Sequence, residues 1–170
     1  MLTTINPSFL KGEIQAPASK SSMQRACAAA LLHKGTTMIH NAGSSDDELA
    51  ALGIIQALGA VVEQVDERTL KVTSTGIVRS QGGIACGESG LAARLFAPIA
   101  ALCAEPVTIT GVGSLLHRPM HGFAEVLPQL GVALTDFNDH LPVTLHGPLV
   151  PASISLDASS GSQFLSGLLF

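Results

Sequence analysis

Three short segments combine small residues with hydroxyl side chains, and each stands where a helix is predicted to begin. They are residues 17–21 (PASKS), 87–90 (GESG) and 159–163 (SSGSQ). The first N–H groups of a helix have no partner within the helix, and together with the helix dipole they attract negative charge. A serine at such a position is more often a plain N-cap, but three such helix starts indicate anion binding.

Four basic side chains accompany these helix starts. Lys20 and Arg25 lie about 140° apart around the first helix. Arg94 belongs to the second helix, and Arg118 lies in a loop after a strand that ends at glycine, where binding residues are common. If all three helix starts point at one ligand, that ligand is small, polar and anionic, with more than one phosphate or carboxylate.

These side chains also have structural interpretations. Lys20 is a common type of solvated surface charge, and Arg94 within an apolar helix could pair with a buried carboxylate. The acidic run 46–48, which includes Asp47, is typical of the first turn of a helix. No histidine has H-x-x-x-H or H-E-x-x-H spacing, and no further carboxylate stands at ligand spacing from the acidic run. We expect neither a metal ion nor a cofactor.

A different chemistry is conceivable at Ser89. Residues 87–90 lie between a strand-like and a helical segment, as the nucleophile elbow of an α/β-hydrolase does. The fifth position is Leu91 instead of glycine, and the Asp and His residues that would complete a triad lie in one predicted hairpin, within residues 136–146. A serine hydrolase that uses Ser89 is the alternative function from another class.

The composition excludes several classes of protein. The chain has 170 residues, of which 46% are apolar and 13% charged, so it can fold around a hydrophobic core. A net charge of −4 without a basic stripe, and the absence of Trp and Tyr, disfavour a nucleic-acid partner. Three cysteines without C-x-x-C spacing indicate neither a disulfide framework nor a zinc site, and they favour a reducing, cytoplasmic compartment. Neither a signal peptide nor a membrane span is predicted.

The chain contains a repeat of about seventy residues. Segments of similar pattern recur in the same order, and the matched pairs are 37–41 with 107–111, 58–61 with 130–133 and 70–72 with 141–143. The repeat predicts two whole units and the start of a third, inside which the chain ends, so the sequence looks truncated.

Each unit is predicted to contain a helix, a strand, a second helix and a hairpin. The predicted elements of the first unit are a helix at 21–32, a strand at 36–40, a helix at 46–58 and a hairpin at 61–72. Those of the second are a helix at 90–102, a strand at 107–110, a helix at 123–130 and a hairpin around 136–140. We expect an α/β architecture with internal pseudo-symmetry, with helices inside and sheets outward or the reverse.

Five motifs stand at characteristic spacing: residues 18–25 (ASKSSMQR), 45–47 (SDD), 87–94 (GESGLAAR), 117–120 (HRPM) and 162–165 (SQFL). In order and spacing they resemble the 5-enolpyruvylshikimate-3-phosphate synthase family of enolpyruvyl transferases. The resemblance implies two similar domains, each built from three βαβαββ units, with ligands in the cleft between them. The chain would hold units 17–86 and 87–157 and the start of a third, 158–170. Residues 1–16 would join the second domain of a full-length protein.

The resemblance also implies roles for individual residues. The positions matched to shikimate 3-phosphate are Lys20, Ser21, Arg25, Ser162 and Gln163. The positions matched to phosphoenolpyruvate are Lys20, Gly90, Arg118 and Gln163, with Lys20 also taking part in catalysis. Arg94 and Asp47 would support the site.

The implied reaction transfers the enolpyruvyl group of phosphoenolpyruvate to the 5-hydroxyl of shikimate 3-phosphate and releases phosphate, in the shikimate pathway to aromatic amino acids. The two anionic substrates are the expected partners, without nucleic acid or membrane, and the full-length protein would be a monomer. Other catalytic residues of the family lie beyond Phe170, so this chain alone would be catalytically incomplete.

The sequence departs from the family pattern at the second helix start. The family's usual Asn-Ala-Gly-Thr is replaced by Glu88-Ser89-Gly90-Leu91, which places a carboxylate near the expected anion. This change would affect the contacts with phosphoenolpyruvate and the response to the inhibitor glyphosate. Gly161 replaces a serine, whose contact Ser160 could take. The alternative within the superfamily is UDP-N-acetylglucosamine enolpyruvyl transferase, which typically carries a reactive cysteine in the loop that here runs from 111 to 120. No cysteine occurs in that loop.

Overall fold

A computed structural model gives the structure of the chain and describes residues 3–4, 6–9, 11–76, 78–80, 82–157 and 161–170. The proposed hydroxyls of Ser159 and Ser160 lie outside the described residues. The described residues before 17 form neither helix nor strand and are exposed.

The first unit contains the elements that the sequence predicts. They are α1 (Lys20–Leu32), β1 (Gly35–His40), α2 (Asp46–Ala57), β2 (Val61–Asp66) and β3 (Thr69–Ser74). Alanine and leucine favour α1, and β-branched residues favour the strands. The three strands form an antiparallel sheet in the order β1-β3-β2.

The second unit follows with a full βαβαββ order. It comprises β4 (Gly83–Ala85), α3 (Gly90–Ala100), β5 (Val107–Thr110), α4 (Phe123–Val126), β6 (Ala133–Thr135) and β7 (Val143–His146). The sheet order is β4-β5-β7-β6, in which β4 and β5 are parallel and the other pairs are antiparallel. The predicted α/β class and the repeated unit are confirmed.

Two predicted helices end earlier than expected. Of the helix predicted over 123–130, the first half is the α-helix α4, and the second half, Leu127–Leu130, is a 3-10 turn. Pro128 explains the change, because it has no N–H to donate to the preceding turn. The helix predicted over 90–102 ends at Ala100.

The helices lie inside and the sheets outside, which settles the alternative left open by the sequence. All residues of α3 except Arg94 are buried, and the helix contacts α1, α2 and α5 (Gln163–Leu168). By contrast, β2 is exposed along most of its length. The central helix α3 therefore positions the N-termini of its neighbours.

Aromatic packing fixes the start of α5. Phe164 packs against Phe123 of α4 in a tilted arrangement, with ring centroids 5.0 Å apart. Phe123 also stacks with Phe137, with ring centroids 6.1 Å apart. Phe123 is fully buried and Phe164 is 5% exposed. Full burial of a Phe side chain stabilises a fold by about 1.5–3 kcal/mol. The buried ring of Phe164 thus keeps the adjacent Gln163 beside Arg94 of α3.

The packing of α5 on α3 predicts the effect of one substitution. A Cβ added at Gly167 would meet the carbonyl oxygen of Leu95 and lie 2.7 Å from Cγ of Pro98. Gly167→Ala should therefore lower the free energy of unfolding, measured by urea denaturation, by about 1–3 kcal/mol.

Gly53→Ala is the matched control. Gly53 lies within α2, and an added Cβ would meet no atom within 4 Å. This substitution should raise the free energy of unfolding by about 0.5–1 kcal/mol, because glycine is the poorer helix former. Equal effects of the two substitutions would contradict the close approach of α5 to α3.

Candidate functional site

The three helix starts meet at one cavity. It has a volume of about 720 Å³ and is lined by the first residues of α1, α3 and α5 and by the loop after β5. The lining includes the predicted residues Lys20, Ser21, Asp47, Gly90, Arg94, Arg118, Ser162 and Gln163. Residues at the starts of three helices that are far apart in sequence thus line one cavity.

Arg25 is the predicted site residue that does not line this cavity in the described part of the chain. Its guanidinium donates to the carbonyl oxygen of Ser21 over 3.1 Å and to Oγ of Ser166 over 3.5 Å. Arg25 therefore ties the start of α1 to α5. A contact between Arg25 and shikimate 3-phosphate stays a prediction.

Lys20 is held by a carboxylate at the cavity. Its ammonium lies 2.7 Å from Oδ2 of Asp47, and the two side chains are 53% and 23% exposed. Asp47 belongs to the first turn of α2, where the Glu48 carboxylate accepts hydrogen bonds from N and Oγ of Ser45 at the helix start. The acidic run is thus a helix first turn, and one of its carboxylates also orients Lys20.

Arg94 does not pair with a carboxylate among the described residues, contrary to the structural interpretation of its place in an apolar helix. Nη1 donates to the carbonyl oxygen of Gly90 over 3.0 Å and to Oε1 of Gln163 over 3.4 Å. Nη2 donates to the carbonyl oxygen of Pro119 over 2.7 Å. Burial, followed by repulsion from Arg118, lowers the pKa of Arg94.

Gly90 makes room for the two guanidinium groups. A Cβ at this position would lie 2.8 Å from Nη1 of Arg94 and 3.3 Å from Nη1 of Arg118. Neutral oxygens satisfy the N–H groups of Arg94 without cancelling its charge. The start of α3 therefore lies between two cations that repel each other in the absence of an anion.

Glu88 does not place its carboxylate in the cavity, although the sequence predicts a carboxylate near the expected anion. Its Oε2 accepts hydrogen bonds from N and Oγ of Ser114, over 3.0 and 2.7 Å, and Glu88 is not among the described lining residues. Oγ of Ser114 in turn accepts a bond from Nη2 of Arg118 over 3.0 Å. Glu88 therefore acts on the cavity through the position of Arg118.

Ser89 is not a nucleophile in this structure, which corrects the serine hydrolase alternative. The residue is 1% exposed, and its Oγ caps α3 by accepting from N of Ala92 over 3.2 Å. The imidazoles that would complete a triad bond within their own hairpin: His140 Nδ1 lies 2.9 Å from the Asn138 carbonyl, and His146 Nε2 lies 2.9 Å from Oγ1 of Thr135.

The cysteines also offer no nucleophile. All three are buried and free, and burial raises the pKa of Cys27 and Cys86 to about 12 and that of Cys103 to about 11. Such thiols stay protonated at neutral pH. Within the described ranges, no cluster of His, Cys, Asp and Glu could hold a metal ion, and no helix is long and apolar enough to cross a membrane.

The structure adds lining residues that the sequence analysis missed, among them Gln24, Pro119, His121 and Phe164. The sequence does contain a signal for Gln24, because this residue follows Lys20 by four positions and therefore lies on the same face of α1. No sequence signal indicates His121, since its position at the cavity depends on the path of the loop before α4. Its Nδ1 lies 3.4 Å from Oδ2 of Asp139, a salt bridge when the imidazole is protonated.

Comparison with known proteins connects this geometry to a family. A protein-family model described as EPSP synthase (3-phosphoshikimate 1-carboxyvinyltransferase) matches residues 5–170. A 3-phosphoshikimate 1-carboxyvinyltransferase of Thermococcus kodakarensis is 37% identical over 160 residues, which are 94% of this chain and 38% of that protein. A protein of the same name from Clostridium kluyveri is 29% identical over 98% of this chain and 39% of that protein. The chain thus spans about 40% of the length of these relatives.

A solved structure agrees in fold. The EPSP synthase of Acinetobacter baumannii superposes with a TM-score of 0.83 at 24% sequence identity, over 93% of this chain and 37% of that chain. The backbone arrangement that brings the helix starts together is therefore the one found in that structure.

The hydrogen bonds of Glu88 predict its titration. Bonds from the side chain and backbone of Ser114, together with the charge of Arg118, lower the pKa of Glu88 below its ordinary value. These interactions are therefore present above the ordinary glutamate pKa and are lost as the pH falls through the lowered value. Titration of the Glu88 carboxyl carbon by NMR should show a midpoint below 4.5.

Two variants rank the causes of this lowered pKa. Ser114→Ala should raise the midpoint more than Arg118→Met does, because the Ser114 side-chain hydrogen bond is the largest cause and the charge of Arg118 is a smaller one. A midpoint that neither variant moves would show that the carboxylate of Glu88 is not held at Ser114.

Proposed function

The chain belongs to the EPSP synthase family, and on that premise we propose that it forms the shikimate 3-phosphate side of an enolpyruvyl transferase. The reaction transfers the enolpyruvyl group of phosphoenolpyruvate to the 5-hydroxyl of shikimate 3-phosphate and releases phosphate. The observation that carries the proposal is the convergence of Lys20, Arg94 and Arg118 with three helix N-termini on one cavity.

The charge balance of the cavity supports a ligand with several negative charges. Three permanent cations line it against one carboxylate, Asp47, among the described residues. Burial, followed by repulsion from Arg118, lowers the pKa of Arg94, and a bound anion would relieve that repulsion. Helix N-termini add partial positive charge that no side chain has to supply.

Donor groups at the starts of α1 and α5 support the proposed contacts with shikimate 3-phosphate. For shikimate 3-phosphate we propose Lys20 and Ser21 at the start of α1, with Ser162 and Gln163 at the start of α5. Arg25, bonded to Ser21 and Ser166, would reach the same phosphate by turning from its present partners.

For phosphoenolpyruvate we propose Lys20, Gly90, Arg118 and Gln163. Gly90 would offer the first N–H groups of α3, and Arg118 would offer a guanidinium oriented through Ser114. Gln163 is proposed for both substrates, and its Oε1 accepts a hydrogen bond from Arg94. Arg94 is a supporting residue that fixes the geometry of these donors.

These residues would act by position and charge. In the addition step, the 5-hydroxyl oxygen of shikimate 3-phosphate bonds to the central carbon of phosphoenolpyruvate, a proton goes to its methylene carbon, and the hydroxyl proton is released. In the elimination step, the bond to phosphate breaks and a proton leaves the methyl carbon. Lys20, held at Asp47, would hold both anions and stabilise charge that develops on the departing phosphate. Among the described residues no second set of such groups lines the cavity, so we propose that these residues bind substrate without completing turnover.

The domain organisation is proposed on the same basis. Units 17–86, 87–157 and the start of a third at 158–170 would build one domain, and 1–16 would join the other in a full-length protein. Phe9 and Ile14 are almost fully exposed, as expected for side chains that pack on a surface outside this domain. The full-length protein would be a monomer. The three free, buried thiols support a reducing, cytoplasmic compartment.

Calorimetry with shikimate 3-phosphate tests the proposed function. The unsubstituted chain should bind the ligand saturably, and Lys20→Met should weaken binding about ten- to a hundredfold. The substitution removes a hydrogen bond to a charged group and leaves Asp47 facing the ligand, and such a bond is worth about 1.5–3 kcal/mol.

Lys71→Met is the matched control. Lys71 also forms an ion pair, with Glu63 at 2.9 Å, but it lies in β3 and does not line the cavity. Its removal should leave the dissociation constant unchanged. Equal losses in both variants, or tighter binding of UDP-N-acetylglucosamine than of shikimate 3-phosphate, would contradict the proposed substrate.

A further inference from the structure

The carboxamide of Gln24 is a buried polar group in the wall of the cavity. Gln24 is 0% exposed and lines the cavity one helical turn after Lys20. Its neighbours along the wall are Ser21 on the same helix and Gly90 at the start of α3. The carboxamide therefore lies in the cavity wall beside the starts of α1 and α3.

Ser89 bonds to the oxygen end of the carboxamide. Oγ of Ser89 accepts a hydrogen bond from N of Ala92 over 3.2 Å and has one hydrogen to donate. It donates that hydrogen to Oε1 of Gln24 over 3.2 Å. With the oxygen end held at Ser89, the amino end of the same planar group is directed away from the cap of α3.

Nε2 of Gln24 has no hydrogen-bond partner although it is buried. A buried donor without an acceptor costs about 1–3 kcal/mol, so such groups are rare in folded proteins and need an explanation. An apolar residue of similar size at this place would avoid the cost. The cavity beside Gln24, with its excess of cations, is suited to bring in an oxygen acceptor.

We propose that Gln24 is a ligand-binding residue that donates from Nε2 to a phosphate or carboxylate oxygen of the anion held in the cavity. Ser89 is then a positioning residue that keeps the donor end of the carboxamide available. The inference rests on the proposed function, because it needs an anion at the starts of α1 and α3.

The alternative is that Gln24 and Ser89 only tie α1 to α3. The two interpretations differ in one measurable respect. If the bond between them is all that matters, Gln24→Met and Ser89→Ala remove the same interaction and weaken anion binding equally. If Nε2 contacts the ligand, Gln24→Met loses that contact as well, whereas Ser89→Ala retains it.

The experiment is a titration of the 170-residue chain with inorganic phosphate and with shikimate 3-phosphate, followed by calorimetry and by NMR of side-chain amides. Gln24→Met should raise the dissociation constant for either anion about tenfold or more, and by a larger factor than Ser89→Ala does. The control Gln56→Met, at an exposed position in α2, should change nothing. Saturation with either anion should shift the Gln24 side-chain N–H resonances and leave those of Gln56 in place.

The outcomes separate this inference from the proposed function. Equal losses in Gln24→Met and Ser89→Ala, or Gln24 N–H resonances that stay in place at saturation, would overturn the role of Gln24 while tight binding of shikimate 3-phosphate upholds the substrate. If shikimate 3-phosphate binds no more tightly than phosphate, the substrate is wrong, and a larger loss in Gln24→Met still supports the role of Gln24. A chain that binds neither anion overturns both.

Discussion

The site depends on one half-buried guanidinium, that of Arg94, which has no carboxylate partner in the part of the chain that the structure describes. Arg94 projects from the otherwise buried helix α3, and three neutral oxygens from Gly90, Pro119 and Gln163 take its hydrogen bonds. These oxygens belong to the start of α3, the loop before α4 and the start of α5. Because they do not neutralise the charge, the fold retains a cation at the centre of the cavity, and an incoming anion can offset it.

The remaining carboxylates near the cavity are each held by specific partners. Asp47 forms a salt bridge with Lys20. Glu48 accepts hydrogen bonds from Ser45, the residue that caps α2. Glu88 is held by Ser114, which also bonds to Arg118. These carboxylates therefore orient cations and cap a helix, and the electrostatic field in the cavity stays favourable to anions.

The departures from the family pattern at the start of α3 are linked to other residues of this chain. Glu88 accepts hydrogen bonds from Ser114. Ser89 donates a hydrogen bond to the carboxamide oxygen of Gln24. Both partners lie on segments that also carry a cation of the cavity, Arg118 in one case and Lys20 in the other. The unusual residues thus do not break the site, because their polar groups are directed into the scaffold that supports it.

The order of elements, the seventy-residue repeat and the positions of the helix starts could be predicted from the sequence, because they follow from local propensity and spacing. The sequence also indicated Lys20, Arg94 and Arg118 as candidate site residues, and all three line the cavity. The partners of Arg94 and Glu88, the burial of Ser89 and the place of Gln24 in the wall could be read only from the folded structure. Those outcomes depend on contacts between residues far apart in sequence, such as Ser89 and Gln24, which are 65 residues apart. Many pairs of polar side chains could form equivalent hydrogen bonds, and the packing of the helices decides which pairs meet.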